Sequence, residues 1–320
     1  QNLAITMSQQ QISCLLANAF FCTFPHRNNT KPGSEYANYP TINFSRSYLL
    51  TRPALKAEKL RAIFHYFNTV TNNEDPGTFT SLQKDPLSMR VQGCCRSVSS
   101  KLQFCTCSSV SSTSHGSGQV EFASNYIGGG VLGSGLVQEE ILFFMSPELI
   151  VARLFTEKLA DNECLKITGT MYSFTSGYSK TFSWVGPYND CMKDNWKRRY
   201  RQIVAIDALD FKNPKDQYTK ENIKRELNKA FVGFHGDVKT AIATGNWGCG
   251  AFNGDPKLKA LIQLMAAAVA GRDMAYFTAG NKELAKEIQR MHEILTINKV
   301  TVVILNGHII LQYYCLLYFF

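Results

Sequence analysis

The stretch Gly128-Gly129-Gly130-Val131-Leu132-Gly133-Ser134-Gly135-Leu136-Val137-Gln138-Glu139-Glu140 constrains the chain more than any other part of it. Glycine lacks a Cβ and gives up more backbone freedom on ordering than any other residue, so this run predicts a loop rather than a helix or strand. Just before it, Gln119-Val120-Glu121-Phe122-Ala123-Ser124 alternates polar and apolar, as a strand does. The expected order is strand, glycine loop, then a turn of helix carrying Gln138, Glu139 and Glu140. Consecutive N–H groups in such a loop form a concavity suited to phosphate oxygens, so Gly128, Gly129 and Gly130 are expected to face phosphate.

A dinucleotide-binding turn also joins a strand to a helix through glycines, but it needs the spacing Gly-x-Gly-x-x-Gly. Here the first three glycines are contiguous and the helix opens with two acids, which repel a pyrophosphate. A nicotinamide-dependent oxidoreductase is therefore disfavoured. Two carboxylates beside an amide suit sugar hydroxyls and proton transfer.

The formal charge of +9 points to anionic partners, nucleic acid or another polyphosphate, without separating them. A 45% hydrophobic content over 320 residues suffices for one large packed domain, alone or with a smaller companion. The ten cysteines include no Cys-x-x-Cys pair and no secretory signal is evident, so reduced thiols in an intracellular compartment are expected. Cys94, Cys95, Cys105 and Cys107 cluster in sequence but lack zinc-ligand spacing, and the six histidines are scattered, so no metal is expected. The chain begins with Gln1 and is expected to be part of something longer.

Ser8-Gln9-Gln10-Gln11 has the form of a capping box, and Ile12, Leu15, Leu16, Ala19 and Phe20 follow on one helical face that Pro25 is expected to close. An extended connection to about Pro53 precedes a second stripe of Leu60, Ile63, Phe64 and Phe67. Ser97 to Gly118 is serine-rich, either linker or strand and loop. Ser146-Pro147 starts a helix expected to bury Val151, Leu154, Phe155 and Leu159. Strands are expected at 164–168, 203–206, 241–243 and 274–277, with helices opened by Asp255-Pro256 and carried by Leu284, Ile288, Met291 and Leu295. Alternating strands and helices predict an α/β sandwich. Lys193 to Arg201, basic with Trp196 and Tyr200 interleaved, is expected to be a solvated helix face, with guidance of a polyanion toward the cleft as the alternative reading. The apolar tail from Ile309 to Phe320 is too short to cross a bilayer, which takes about 20 residues.

Gly-Gly-Gly, a short spacer and Gln-Glu-Glu resemble the signature of animal-type poly(ADP-ribose) glycohydrolases. The resemblance extends in the same order to Gly177-Tyr178, to Arg225-Glu226-Leu227-Asn228-Lys229-Ala230, and to Thr244-Gly245-Asn246-Trp247-Gly248-Cys249-Gly250-Ala251-Phe252, and it fades after about Thr296. It implies a macrodomain-like three-layer α/β/α sandwich at 71–320, preceded at 1–70 by the end of a helical accessory segment. It also implies hydrolysis of the ribose–ribose O-glycosidic bond of poly(ADP-ribose) on modified proteins, releasing ADP-ribose. No cofactor, metal, membrane or nucleic acid is required, and a monomer is expected. The family places such an activity in the nucleus and cytoplasm, in the response to DNA damage.

Carried over residue by residue, the resemblance makes Glu140 the acid/base that protonates the leaving ribose oxygen and then deprotonates water. Glu139 would hold the ribose hydroxyls. Two adjacent carboxylates also raise one another's pKa, which suits an acid near neutrality. Gln138 and Tyr178 would contact the bound ADP-ribose. Asn246, Trp247, Gly248, Cys249, Gly250 and Ala251 would form a second phosphate-facing loop, with Cys249 not expected to be a nucleophile for want of a histidine partner. Three positions depart from the family pattern: Glu121, expected with Glu139 and Glu140 among the catalytic residues, stands where aspartate is usual, Ser124 where asparagine is usual, and Ala279 where a phenylalanine stacks on adenine. These changes motivate a second reading, a poly(ADP-ribose)-binding module with weak or no turnover.

Overall fold

A computed structural model describes residues 3–25, 31, 33–45, 47, 53–72, 79–86, 101–105, 118–188, 192–236 and 240–302. The chain divides into two compact units. One comprises Gln1–Lys84, Ala123–Ala160 and Leu165–Gln202, and the other Asp85–Phe122, Asp161–Cys164 and Ile203–Phe320.

The first unit opens with β1 (Leu3–Ser8), which runs antiparallel to β2 (Phe79–Pro86) with Leu3 opposite Lys84 and Ser8 opposite Phe79. Helix α1 (Gln9–Phe20) starts at the expected capping box. The Ser8 hydroxyl accepts the Gln11 N–H at 3.1 Å and the Gln11 side chain accepts the Ser8 N–H at 2.9 Å. Ile12, Leu16 and Ala19 are buried, and the helix ends at Phe20, before Pro25, with Cys22 in the left-handed region at φ 58°. Helix α2 (Pro53–Asn72) buries Lys59, Ala62, Ile63 and Tyr66. The expected stripe is thus rotated: Ile63 is inside, but Phe64 is 52% exposed and meets Phe20 edge-on at 5.6 Å. Lys59, outside the expected stripe, lies on the buried face.

Helix α3 (Gln138–Met145) follows the glycine loop, as its sequence predicts. The segment beginning at Pro147 departs from expectation. It is a 3₁₀ turn, Pro147–Val151, continued by α4 (Ala152–Phe155), and Thr156 is already extended. The reason is competition for backbone donors. Lys158 N–H goes to the Asn38 carbonyl at 2.7 Å and Leu159 N–H to the Asn125 carbonyl at 2.8 Å, so no further helical turn forms. Leu159 is still buried, while Phe155 is 40% exposed.

Strands β6 (Ser173–Ser176) and β7 (Ser183–Pro187) pair antiparallel as a separate ribbon. The basic stretch after them is not a helix. Asp194 accepts the Trp196 N–H at 2.9 Å and the Arg198 N–H and Nε, both at 2.8 Å, and so organises a turn. A short carboxylate that captures nearby N–H groups favours a turn over a helix. Beyond the turn, β8 (Arg199–Asp207) buries Arg199 and Arg201, and the Arg201 guanidinium lies 3.6 Å over the Tyr172 ring.

β5 (Glu163–Gly169) and β8 each pass through both units. In the first unit the strand order is β1-β2-β5-β8. In the second it is β8-β4-β9-β10-β3, with β3 at Leu102–Cys105, β4 at Gly118–Ala123, β9 at Ile242–Gly245 and β10 at Met274–Phe277. β10 is parallel to both β9 and β3, and β4 is parallel to β9. Parallel pairing needs crossovers: α6 (Pro256–Ala270) carries the chain from β9 to β10, α5 (Lys220–Phe234) lies between β8 and β9, and α7 (Lys282–Ile297) follows β10. Asp255 caps α6 through the Leu258 N–H at 2.7 Å, with Pro256 at the first position and Gly271 closing at φ 69°. Val204, Ile206, Phe231, Trp247, Met265 and Ile288 belong to one buried cluster. The α/β class expected from the alternation is the one observed.

The motif Arg225–Ala230 lies on α5 and feeds a buried ion network. Arg225 donates to the Asp207 carboxylate at 2.6 Å, Lys229 meets the same carboxylate at 2.6 Å, and Glu226 pairs with Lys259 and accepts the Leu209 N–H at 2.9 Å. These charges tie α5 to α6 and to the end of β8. Most of Ser97–Gly118, the cysteines Cys94, Cys95 and Cys107, the Cys105 side chain, and Ile309–Phe320 lie outside the described residues. Removing one partner of a buried pair leaves an unpaired charge, so Glu226→Ala should cost about 3–5 kcal/mol in urea unfolding, and a loss below about 1 kcal/mol would contradict the network's role.

Candidate active site

The glycine loop is folded around the two carboxylates that follow it. Glu139 and Glu140 open α3, and each is only 5% exposed. Glu139 accepts the Gly128 N–H at 2.7 Å and the Ser124 N–H at 2.9 Å. Glu140 accepts the Gly130 and Val137 N–H groups, both at 2.9 Å. The middle amide, Gly129 N–H, goes to the Tyr126 carbonyl at 3.0 Å. The three glycine amides expected to face phosphate are therefore committed inside the protein. The physical reason is that a buried carboxylate must be met by donors, and the nearest are the amides of its own loop.

Glycine is required here by crowding as much as by conformation. Gly129 has φ 44°, and a Cβ on it would lie 2.7 Å from Glu139 Oε2 and 2.8 Å from Glu140 Oε1. A Cβ on Gly135 would lie 2.7 Å from Glu140 Oε1. The loop thus closes on the carboxylates from two sides.

Two cations hold the loop's carbonyls. Arg153, from α4, donates Nη1 to the Ile127 carbonyl at 2.5 Å and the Gly129 carbonyl at 3.3 Å, and Nε to the Thr41 carbonyl at 2.7 Å. Lys59, from α2, donates Nζ to the Gly133 carbonyl at 2.8 Å and the Gly135 carbonyl at 3.1 Å. Neither residue follows from the glycine motif. The available signal for Lys59 was a lysine at helical spacing with Ala62, Ile63 and Tyr66. Arg153 gave none beyond a basic residue within an apolar segment.

Burial pushes the Glu139 carboxyl up to about 8, outweighing the Ser124 N–H that lowers it, with Glu140's charge adding to the rise. The upward shift expected from mutual repulsion falls on Glu139, and desolvation is its larger cause. Burial also lowers the Arg153 guanidinium to about 10, against the pull of Glu139 and Glu140.

Tyr178 stands at the edge of this cluster, 56% exposed. Its turn is fixed by Gly177 at φ 72°, where a Cβ would collide with the Thr181 carbonyl, and by the Tyr178 N–H on Thr181 Oγ1 at 2.9 Å. Burial raises the Tyr178 phenol, the neighbouring Gln138 backbone opposes this, and Glu140's charge adds to it. The structure thus brings together Gly128, Gly129, Gly130, Gln138, Glu139, Glu140 and Tyr178, all in the first unit.

The remaining expected residues belong to the second unit. Glu121 is wholly buried on β4. Trp247 is also wholly buried, with its indole N–H on the Ile206 carbonyl at 3.1 Å and the Lys259 ammonium 4.3 Å from its ring, so its ring is a core element rather than a ligand surface. The Asn246 side chain accepts the Tyr276 hydroxyl at 3.1 Å. Gly248 has φ 74°, and a Cβ there would press on Ala208 at 2.6 Å, whereas nothing lies within 4 Å of one on Gly250. Among the described residues, the N–H groups of Gly248, Gly250 and Ala251 donate to no protein acceptor, which leaves them available to an oxyanion. Burial pushes the Cys249 thiol up to about 12, so it is not a thiolate nucleophile at neutral pH. Ala279 has φ 52° and precedes Gly280 at φ 87°, a tight turn after β10. Among the described residues no helix is long and apolar enough to cross a membrane, and no cluster of ligands suits a metal ion.

The fold is that of an α/β protein whose glycine loop wraps a buried carboxylate pair, and comparison with known proteins shows the family to which it belongs. The family described as "Poly (ADP-ribose) glycohydrolase (PARG), Macro domain fold" matches residues 90–286, and its helical domain matches residues 1–84. The chain belongs to the poly(ADP-ribose) glycohydrolase family. It is 32% identical over 317 residues to poly(ADP-ribose) glycohydrolase 1 of Caenorhabditis elegans, covering 92% of this chain and 38% of that protein. It is 31% identical over 359 residues to poly(ADP-ribose) glycohydrolase 1 of Arabidopsis thaliana, covering 88% of this chain and 64% of that one. Among solved structures, poly(ADP-ribose) glycohydrolase from Thermomonospora curvata aligns over 86% of this chain and 94% of its own, with 13% identity and a TM-score of 0.40.

The crowding around Gly129 predicts that Gly129→Ala lowers the urea midpoint by an amount worth about 1–3 kcal/mol. Gly186→Ala, where a Cβ meets nothing within 4 Å, should leave the midpoint unchanged, and equal effects at the two sites would refute the crowding account. The raised Glu139 carboxyl has a signed consequence. Its folded pKa lies above its unfolded value, so its stabilising contribution is complete below about 4.5 and is lost as pH rises through about 8. The melting-temperature gap between the parent and Glu139→Gln should therefore be widest near pH 5 and narrow toward pH 9, and a constant gap would remove the assignment.

Proposed function

We propose that this chain hydrolyses ribose–ribose O-glycosidic bonds of poly(ADP-ribose), releasing ADP-ribose, with Glu140 as general acid/base. The observation that carries this reading is the Glu139–Glu140 pair, buried inside the glycine loop and flanked by the exposed Tyr178 ring. Cleavage requires a proton for the leaving ribose oxygen as positive charge develops at the anomeric carbon, and then removal of a proton from the incoming water. Glu140 is assigned both transfers. Glu139, whose carboxyl is pushed up to about 8, offers an O–H to the ribose hydroxyls at neutral pH. Adjacent backbone positions do not let two carboxyls flank one bond from opposite faces, so the pair does not act as the usual two-sided glycosidase dyad.

The Tyr178 ring supplies an aromatic face with a polar tip for the terminal ADP-ribose. The uncommitted amides of Gly248, Gly250 and Ala251 supply oxyanion donors of the kind a diphosphate needs. The substrate is placed on modified proteins in the nucleus and cytoplasm, and the chain is taken to act as a monomer, with residues 1–70 as its accessory segment and 71–320 as the catalytic domain.

Release of ADP-ribose from auto-modified polymerase, without added metal, tests the reading directly. The parent should release product, and Glu140→Gln should lose about a thousand-fold or more in rate while still binding the polymer. A parent that binds polymer but releases nothing is a binding module, and the enzymatic reading fails.

A further inference from the structure

We propose that Lys59 is a positioning residue for the glycine loop: its ammonium, carried in from α2, holds the Gly133 and Gly135 carbonyls and keeps the loop closed over Glu140. The inference deepens the proposed function and rests on its assignment of Glu140.

The geometry is specific. Lys59 is 2% exposed and lies on the buried face of α2 with Ala62, Ile63 and Tyr66. Two of its donors go to the Gly133 and Gly135 carbonyls at 2.8 and 3.1 Å, and its Nζ sits 5.1 Å from the centre of the Phe144 ring on α3. A lysine in such a place costs several kcal/mol of desolvation that an apolar residue of the same size avoids, so packing alone does not account for it. Burial draws its ammonium down to about 8 and Glu140's charge pulls in the opposite direction, which places the two groups within electrostatic reach of one another.

What Lys59 holds is the part of the loop that contacts the proposed acid. Gly135 approaches so closely that a Cβ on it would lie 2.7 Å from Glu140 Oε1 and 2.9 Å from its Cδ. The Gly135 N–H reaches back to the Gly130 carbonyl at 3.2 Å, and Gly130 N–H is one of the two donors on Glu140. Releasing the two carbonyls frees the 133–135 segment, and with it the Gly130 and Val137 amides that orient the carboxylate. Arg153 grips the other end of the loop at Ile127 and Gly129, so Lys59 governs the 133–135 side in particular. A displacement near 1 Å of a positioned catalytic group costs up to about a hundred-fold in rate.

The test compares Lys59→Met, which keeps the length without the charge, and Lys59→Arg, which keeps a cation, with the parent chain. Amide hydrogen exchange across residues 130–137 is read alongside melting temperature, and kcat and KM for ADP-ribose release. In Lys59→Met the Gly130 and Val137 amides should exchange about ten-fold faster, with protection elsewhere retained. Its kcat should fall about ten-fold or more while KM stays within about two-fold, and Lys59→Arg should recover part of both losses. Unchanged exchange at 130–137 overturns the proposal, as does faster exchange spread over the whole chain, which would mark a merely structural lysine. If the parent itself releases no ADP-ribose, the catalytic reading fails, yet the exchange measurement still decides whether Lys59 holds the loop.

Discussion

Two carboxylates buried side by side are the constraint on which the first unit depends. Glu139 and Glu140 sit where water cannot solvate them, and an unmet buried carboxylate costs several kcal/mol. The protein meets that cost locally. Four backbone amides, from Ser124, Gly128, Gly130 and Val137, donate to the pair, and hydrogen bonds to charged groups contribute about 1.5–3 kcal/mol each. The glycines serve this arrangement by letting the loop approach the oxygens more closely than any Cβ allows. Their carbonyls, turned outward by the same fold, need donors in turn. Arg153 and Lys59 supply them from two different helices, so the loop's amides meet two acids while its carbonyls meet two cations.

This arrangement changes what a glycine-rich loop means. A run of glycines suggests amides offered to a phosphate, but here the Gly128 and Gly130 amides are spent on the protein's own acids and the Gly129 amide on the Tyr126 carbonyl. The second unit shows the other use of the same residue. In its loop after β9 the amides of Gly248, Gly250 and Ala251 donate to no acceptor among the described residues, while Trp247 anchors the loop from beneath and Lys259 lies against the tryptophan ring. Lys259 is itself held by Glu226, so the ion network on α5 and the floor of the second loop are one structure. The motif Arg225–Ala230 is therefore a support for that loop. The low acidity of Cys249 fits the same picture of a loop whose function lies in its backbone.

Elements whose signals are local were legible from the residues alone. The capping box at Ser8, the Asp255-Pro256 helix start and the helix carrying Leu284 all formed as read, and the strand read at 119–124 formed at Gly118–Ala123, because each is specified by groups a few residues apart. The failures share a cause. The segment after Pro147 stops short because Lys158 and Leu159 find acceptors at Asn38 and Asn125, which are distant in sequence. The basic stretch near Trp196 is a turn because Asp194 takes the amides a helix would use. The buried face of α2 is rotated from the apolar stripe because Lys59 turns inward to carbonyls at Gly133 and Gly135, which are distant in sequence.

The sequence by itself determined the α/β class, the glycine loop with its Gln-Glu-Glu helix start, and the family, since periodicity, capping and motif spacing are properties of neighbouring residues. Only the tertiary structure decided which donors the loop would give to which acceptors. It turned Gly128, Gly129 and Gly130 inward, sank Trp247 into the core, raised the Glu139 carboxyl above Glu's ordinary range, and brought Lys59 to a loop more than seventy residues away. Hydrogen bonding and desolvation depend on what surrounds a group in space, and for a buried charge those surroundings come from parts of the chain that no local pattern connects.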